Sequence, residues 1–191
     1  MVMAQERRRL TAEDWALAAL DAIGSDGLGA VAVEPLASKL GATKGSFYWH
    51  FPNREALVAA ALRLWEERFT EGTISALAGL PDPAAKLRAL FAHVSAHPGR
   101  DRVEVNLLAA ADHELVGPVV RRVVERRIGY VIGLFEEIGF PRAEATRRGM
   151  LAYAAYVGHE ELAARLPGTL PVTGGRELDR YVDLVLDLLL R

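Results

Sequence analysis

"GATKGSFYWHF", residues 41 to 51, sets a glycine turn ahead of one lysine, two small residues and five consecutive ring-bearing side chains. Helical side chains point about 100° apart and strand side chains alternate, so neighbouring rings cannot all face one core. At least one of Phe47, Tyr48, Trp49, His50 and Phe51 must look outward.

Working outward, Pro52 closes this short segment and Asn53 is placed to cap a long fourth helix through Leu57, Ala61, Leu64, Trp65 and Phe69. Upstream, Val33, Leu36, Ala37 and Leu40 follow the i, i+3, i+4, i+7 spacing of a second helix. Pro35 is tolerated in its first turn and Gly41 ends it. Thr43 caps the short third helix. A first helix starts at Thr11, with Asp14 three residues on as a capping-box partner, and is expected to stop near Gly24.

Helix, glycine turn and short helix over residues 33 to 50 is the layout of a helix-turn-helix. On a helical wheel Phe47 turns back toward Leu36 and Leu40. Gly45, Ser46 and Trp49 face the other way, with Lys44 and Tyr48 one turn apart between these faces. Small residues permit close approach to a groove, and Lys44 can reach a guanine edge or a phosphate. Tyr48 and His50 can donate to phosphate oxygens, while Trp49 can lie on a sugar or a thymine methyl. Arg54 opens the fourth helix, where free N–H groups also favour an anion. The competing reading is a small helical cap with half-buried rings and a merely solvated Lys44.

The same residues resemble a known pattern. "VEPLASKLGATKGSFYWHFPNREALVAAAL", residues 33 to 62, is similar to the DNA-binding segment of the tetracycline repressor (TetR) family of bacterial transcription regulators. "LGATKGSFYWHF" and "NREAL" carry the likeness, which spans roughly residues 10 to 62. It implies an all-α homodimeric repressor with a three-helix DNA-binding head, here residues 1–55. It also implies a larger helical body, residues 56–191, that binds a small-molecule effector and dimerises through the last two helices. By position, Lys44, Gly45, Ser46 and Trp49 would approach bases, and Thr43, Tyr48, His50 and Arg54 would hold phosphates. The chain departs from the family in having Val31 and Ala32 where serine or threonine usually precedes the second helix. Glu34 follows where a positive charge would help, which puts phosphate contact from that helix in doubt.

The whole chain fits this picture. Its 191 residues are 51% apolar and 25% charged, with a net charge of −2. That composition suits a folded protein and excludes a uniformly basic nucleic-acid binder, though not a local basic patch. Arg7 to Arg9 could serve as a minor-groove arm. The absence of cysteine removes disulfides and thiolate chemistry and suits a cytoplasmic, nucleoid-associated setting. No run approaches the roughly 18 apolar residues of a membrane span, so no membrane partner is expected.

The body breaks at "HPGR" and "VGP". Asp82 and Pro83 start one helix, and further helices are expected over about 119–138, 143–166 and 176–190. In the last, Leu178, Tyr181, Val185 and Leu188 form an apolar stripe, widened by Val182 and Leu189, that suits a twofold partner. Ala152, Ala155 and Gly158 would admit a close neighbour. Trp65, Phe69, Phe91, Tyr130, Phe135, Tyr153 and Tyr156, together with His97, are candidate walls of an effector pocket. His93 and His97 share a face at metal-ligand spacing, but no third ligand accompanies them and no metal is expected. No nucleophile elbow, P-loop or dinucleotide fingerprint is present, so neither an enzyme nor a cofactor is expected. A helical enzyme and a protein-interaction module remain as rival classes.

Overall fold

The computed structural model describes residues 9–95, 100–172 and 175–191. The described residues form α-helices joined by tight turns, with no strand among them. Helix α1 spans Ala12–Asp26, and a 3-10 turn at Leu28–Ala30 leads to α2, Val33–Lys39. Next come α3, Lys44–His50, and α4, Arg54–Glu66. A π turn, Glu67–Glu71, carries α4 into α5, Gly72–Leu77. The remainder is α6, Pro83–Ser95; α7, Arg100–Ala109; α8, Gly117–Ile138; α9, Arg142–Arg165; and α10, Gly175–Leu190.

Local chemistry fixes the helix ends. Asp14 N–H donates to Thr11 Oγ1 at 3.2 Å while Thr11 N–H donates to Asp14 Oδ2 at 2.8 Å, a reciprocal capping box. Thr43, Asn53 and Asp82 each accept from the N–H three residues on, at 3.2, 2.8 and 2.7 Å. Helix α2 ends at Gly41, whose φ of +62° is strained for other residues. Ala42 N–H reaches Ala37 O at 2.8 Å and Gly41 N–H reaches Ser38 O at 3.1 Å, which completes the left-handed cap. Helix α1 overruns the expected stop at Gly24. It ends at Gly27, whose N–H donates to Ile23 O at 2.9 Å. Gly24 is buried, and Asn106 on α7 donates to the Ile23 and Gly24 carbonyls at 2.8 and 3.2 Å.

Two hydrophobic clusters hold the molecule together. In the first, Trp15, Ile23, Leu36, Phe47 and Leu57 from α1 to α4 merge with Val103, Leu107, Val120 and Val123 of α7 and α8. In the second, Leu87, Phe91, Leu134, Phe135, Val182, Leu186 and Leu189 join α6, α8 and α10. Helices α8 and α9 pack closely at Gly149, where an added Cβ would lie 2.6 Å from Ile132 Cγ1 and 3.3 Å from its backbone nitrogen. The charged seam that α8 makes with the end of α4 and the π turn is regular: Arg122 grips Glu66 at 2.7 and 2.6 Å, and Arg126 grips Glu71 at 2.9 and 3.1 Å. Both are two-pronged guanidinium–carboxylate pairs.

The expected stripe on α10 is rotated. Val182, Leu186 and Leu189 are buried against the rest of the subunit, and Leu178 and Val185 are half-buried there. Tyr181, Leu184 and Leu188 face outward instead. On α9, Ala152 is buried and Ala155 half-buried, whereas Leu151, Ala154, Gly158 and Leu162 line one exposed face. No helix is long and apolar enough to cross a membrane among the described residues.

Candidate functional site

Helix α3 displays what the helical wheel anticipates. Phe47 is fully buried, edge-on to Trp15 at 5.4 Å and beside Phe51 at 5.8 Å. With that anchor sealed, Tyr48 and Trp49 stand out at 59% and 78% exposure. Thr43, Lys44 and Gly45 are exposed, while Ser46 and His50 are half-buried. Thr43 spends one lone pair on the cap to Ser46 N–H.

Two charged residues are engaged within the chain. Lys44 Nζ pairs with Glu34 on α2. This hydrogen bond and the opposite charge hold the Glu34 carboxyl below its usual range and raise the Lys44 ammonium. Both groups are open to water, so screening weakens the pair. Arg54, expected at a phosphate, turns its guanidinium inward: Nε donates to Val31 O at 2.6 Å and Nη2 to Leu28 O at 2.8 Å. It braces the loop before α2, which has Ala32 at its cap position and no side-chain cap. Of the amino-terminal arginines, Arg7 and Arg8 lie outside the described residues. Arg9 places its guanidinium 5.3 Å from the centre of the Trp49 ring.

The second feature is a cavity of about 100 Å³ in the body, counted as space open to the centres of water-sized molecules. Trp65, Phe69, Phe91, Tyr130, Tyr153 and Tyr156 line it, whereas Phe135 is sealed in the core, edge-on to Phe140 at 5.9 Å. At its polar end Arg127 pairs with Glu104, a carboxylate only 6% exposed. Tyr153 donates to Glu104 Oε1 at 2.8 Å and Tyr156 to Oε2 at 3.1 Å. Arg127 Nε donates to Thr70 Oγ1 at 2.9 Å and Nη2 to Phe69 O at 3.3 Å, both in the π turn. Its guanidinium lies 5.3 Å from the Trp65 ring centre. Burial disfavours the charged Arg127, but the Glu104 carboxylate together with the Tyr156 and Tyr153 hydroxyls outweighs this and raises its pKa. Burial, then the Glu104 carboxylate, push the Tyr153 hydroxyl well up. His97 lies outside the described residues. His93 also lines the cavity, and no cluster of three metal-ligating side chains occurs among the described residues.

Solved structures share this architecture. A transcriptional regulator from Rhodococcus sp. Rha1 superimposes with a TM-score of 0.77 at 22% identity, covering 95% of this chain and 96% of its own. A TetR-family regulator from Agrobacterium tumefaciens gives 0.76 at 18% identity, covering 93% and 96%. FadR from Bacillus subtilis, solved in complex with stearoyl-CoA, gives 0.69 at 14% identity, covering 94% and 98%. At such identities the likeness shows the fold. No curated protein sequence matches the chain. Residues 17–61 match the sequence profile of bacterial regulatory proteins, tetR family. Over those residues the chain carries a tetR-type DNA-binding segment.

The sequence located the outward-facing helix α3 and most of the aromatic cavity walls. It missed the buried pair Arg127–Glu104 and the hydroxyl of Thr70. Glu104 sits in "RDRVEVNLLA", where a carboxylate between valines was the available signal.

Proposed function

We propose that this tetR-family regulator works in the cytoplasm as a homodimer on a twofold operator and represses until a small molecule enters the body. Residues 1–55 serve as the DNA-reading head and 56–191 as the sensing and dimerising body. The carrying observation is the outward display of Tyr48 and Trp49 on a helix locked by the buried Phe47. Rings fixed in this way lose little freedom on entering a groove. Lys44, Gly45, Ser46 and Trp49 approach bases, and Thr43, Tyr48 and His50 approach phosphates. Arg54 supports them by holding the loop before α2.

The exposed apolar faces of α9 and α10 support dimerisation, because a second copy would cover them and pair two recognition helices. The cavity supports effector binding. The FadR complex with stearoyl-CoA is a regulator of this fold occupied by a small molecule. Two helices connect cavity and head. Helix α4 starts beside α3 and ends at Trp65 in the cavity wall, while α7 carries Glu104 in the cavity and Asn106 on α1. An effector that prefers one spacing of the heads shifts the population toward it. The work is binding, not catalysis.

Equilibrium binding to duplex DNA across salt tests this reading. The logarithm of affinity should fall linearly with the logarithm of salt concentration. Lys44→Ala should weaken operator binding by roughly tenfold or more. Tyr48→Phe should weaken it by roughly three- to tenfold, with the fold intact by circular dichroism. A flat salt response would overturn DNA binding, and parental affinity in either variant would overturn that residue's role.

A further inference from the structure

We propose that the cavity takes an uncharged, ring-containing molecule that offers a hydrogen-bond acceptor to Arg127. This rests on the cavity being the effector site.

Size sets the first limit. The space of about 100 Å³ open to the centres of water-sized molecules admits a ring with its substituents. The walls set the second. The faces of Trp65, Phe69, Phe91 and Tyr130 favour a flat apolar body, and rings pack edge-on or offset against such faces.

Charge sets the third limit. Arg127 and Glu104 cancel one another inside the cavity wall. An incoming carboxylate would meet Glu104, whose two oxygens already accept from Tyr153, Tyr156 and Arg127. An incoming ammonium would have to displace Arg127, leaving a buried guanidinium unpaired. Either ion loses its hydration without gaining a free counter-charge. Hydrogen bonding sets the fourth. Tyr153 and Tyr156 give their single hydroxyl hydrogens to Glu104. Arg127 has five N–H groups, of which Thr70, Glu104 and the Phe69 carbonyl engage three. Arg127 therefore keeps two N–H donors to which a ligand acceptor such as a carbonyl can bond.

The full-length protein should be titrated calorimetrically with acetophenone, benzamide, benzoate, benzylammonium and palmitate at pH 8, where an ordinary histidine is neutral. Acetophenone or benzamide should bind at least tenfold more tightly than benzoate and benzylammonium, and palmitate should not bind. Glu104→Gln removes the internal counter-charge and should bring benzoate level with or ahead of benzamide. If that variant does not fold, the ranking on the parent protein decides. Failure of both neutral ring compounds to bind overturns the proposal. So does a charged ring compound matching its neutral counterpart, or palmitate binding most tightly. Salt-dependent DNA binding by the same preparation separates the outcomes. If it persists while the ring compounds fail, the ligand class is wrong and the DNA-binding reading stands. If it is absent, the DNA-binding reading fails, and the titration still judges the ligand.

Discussion

Glu34 places a carboxylate on the surface expected to face phosphates and ties up Lys44 there. On the proposed reading, DNA must take that lysine from its own chain. Glu34→Gln should therefore raise affinity for random duplex by roughly two- to fivefold per subunit and steepen the salt dependence by about one unit. Fluorescence anisotropy across salt checks this, with Lys44→Ala and the double variant showing whether the gain passes through Lys44. In the body, Glu104→Ala would leave Arg127 buried without its counter-ion and should cost about 3–5 kcal/mol in urea unfolding. Glu104→Gln keeps the hydrogen-bonding shape and should cost less. Tyr153 adds a pH signature. Its hydroxyl pKa is raised in the folded protein, so its stabilising contribution is whole below the ordinary tyrosine range near 10 and is lost as pH climbs beyond it. Thermal unfolding from pH 8 to 11 should show a decline that is shallower in Tyr153→Phe. The aromatic walls were legible because rings at helical spacing mark a lined interior. The polar centre was not, because Glu104 meets Arg127 and Tyr153 across 23 and 49 residues of chain.

Helix starts were the most readable elements. Thr11 with Asp14, Thr43, Asn53 and Asp82 each announce an orphan N–H that needs an acceptor, and each supplies one. Helix α7 was the least readable. Val103, Glu104, Val105 and Leu107 are all buried, so the helix is enclosed on several sides and shows no one-sided stripe. Helix α10 was recognised but turned by part of a residue step: its broad apolar face serves two surfaces, and periodicity alone could not assign which leucines face inward. The close crossing of α8 and α9 gives an element-scale test. Gly149→Ala pushes a methyl toward Ile132 Cγ1 and backbone, and should lower stability by about 1–3 kcal/mol in urea unfolding. Gly158→Ala, which meets nothing within 4 Å in the subunit, is the matched control.

At the scale of the whole molecule, the outward row Tyr181, Leu184 and Leu188 is the surface to test for self-association. Leu188→Asp places a charge on a side chain 57% exposed in the single chain, so the subunit should fold normally yet sediment as a monomer. It should also lose most of its operator affinity, because one head alone reads half of a twofold site. Val185, part of the expected stripe, is a poorer probe because it packs on the subunit's own interior. Sedimentation equilibrium decides, and an intact Leu188→Asp dimer refutes the face.

The apolar cluster that begins at Trp15 and runs on into Val103, Leu107, Val120 and Val123 crosses the boundary proposed between head and body. A fragment severed after α4 would keep every outward α3 residue yet bare to water the side of that cluster that α7 and α8 cover. Such a truncation should aggregate or melt rather than yield a miniature binder. On the proposed reading, a different sensing body could be joined to this head only by refitting that shared cluster.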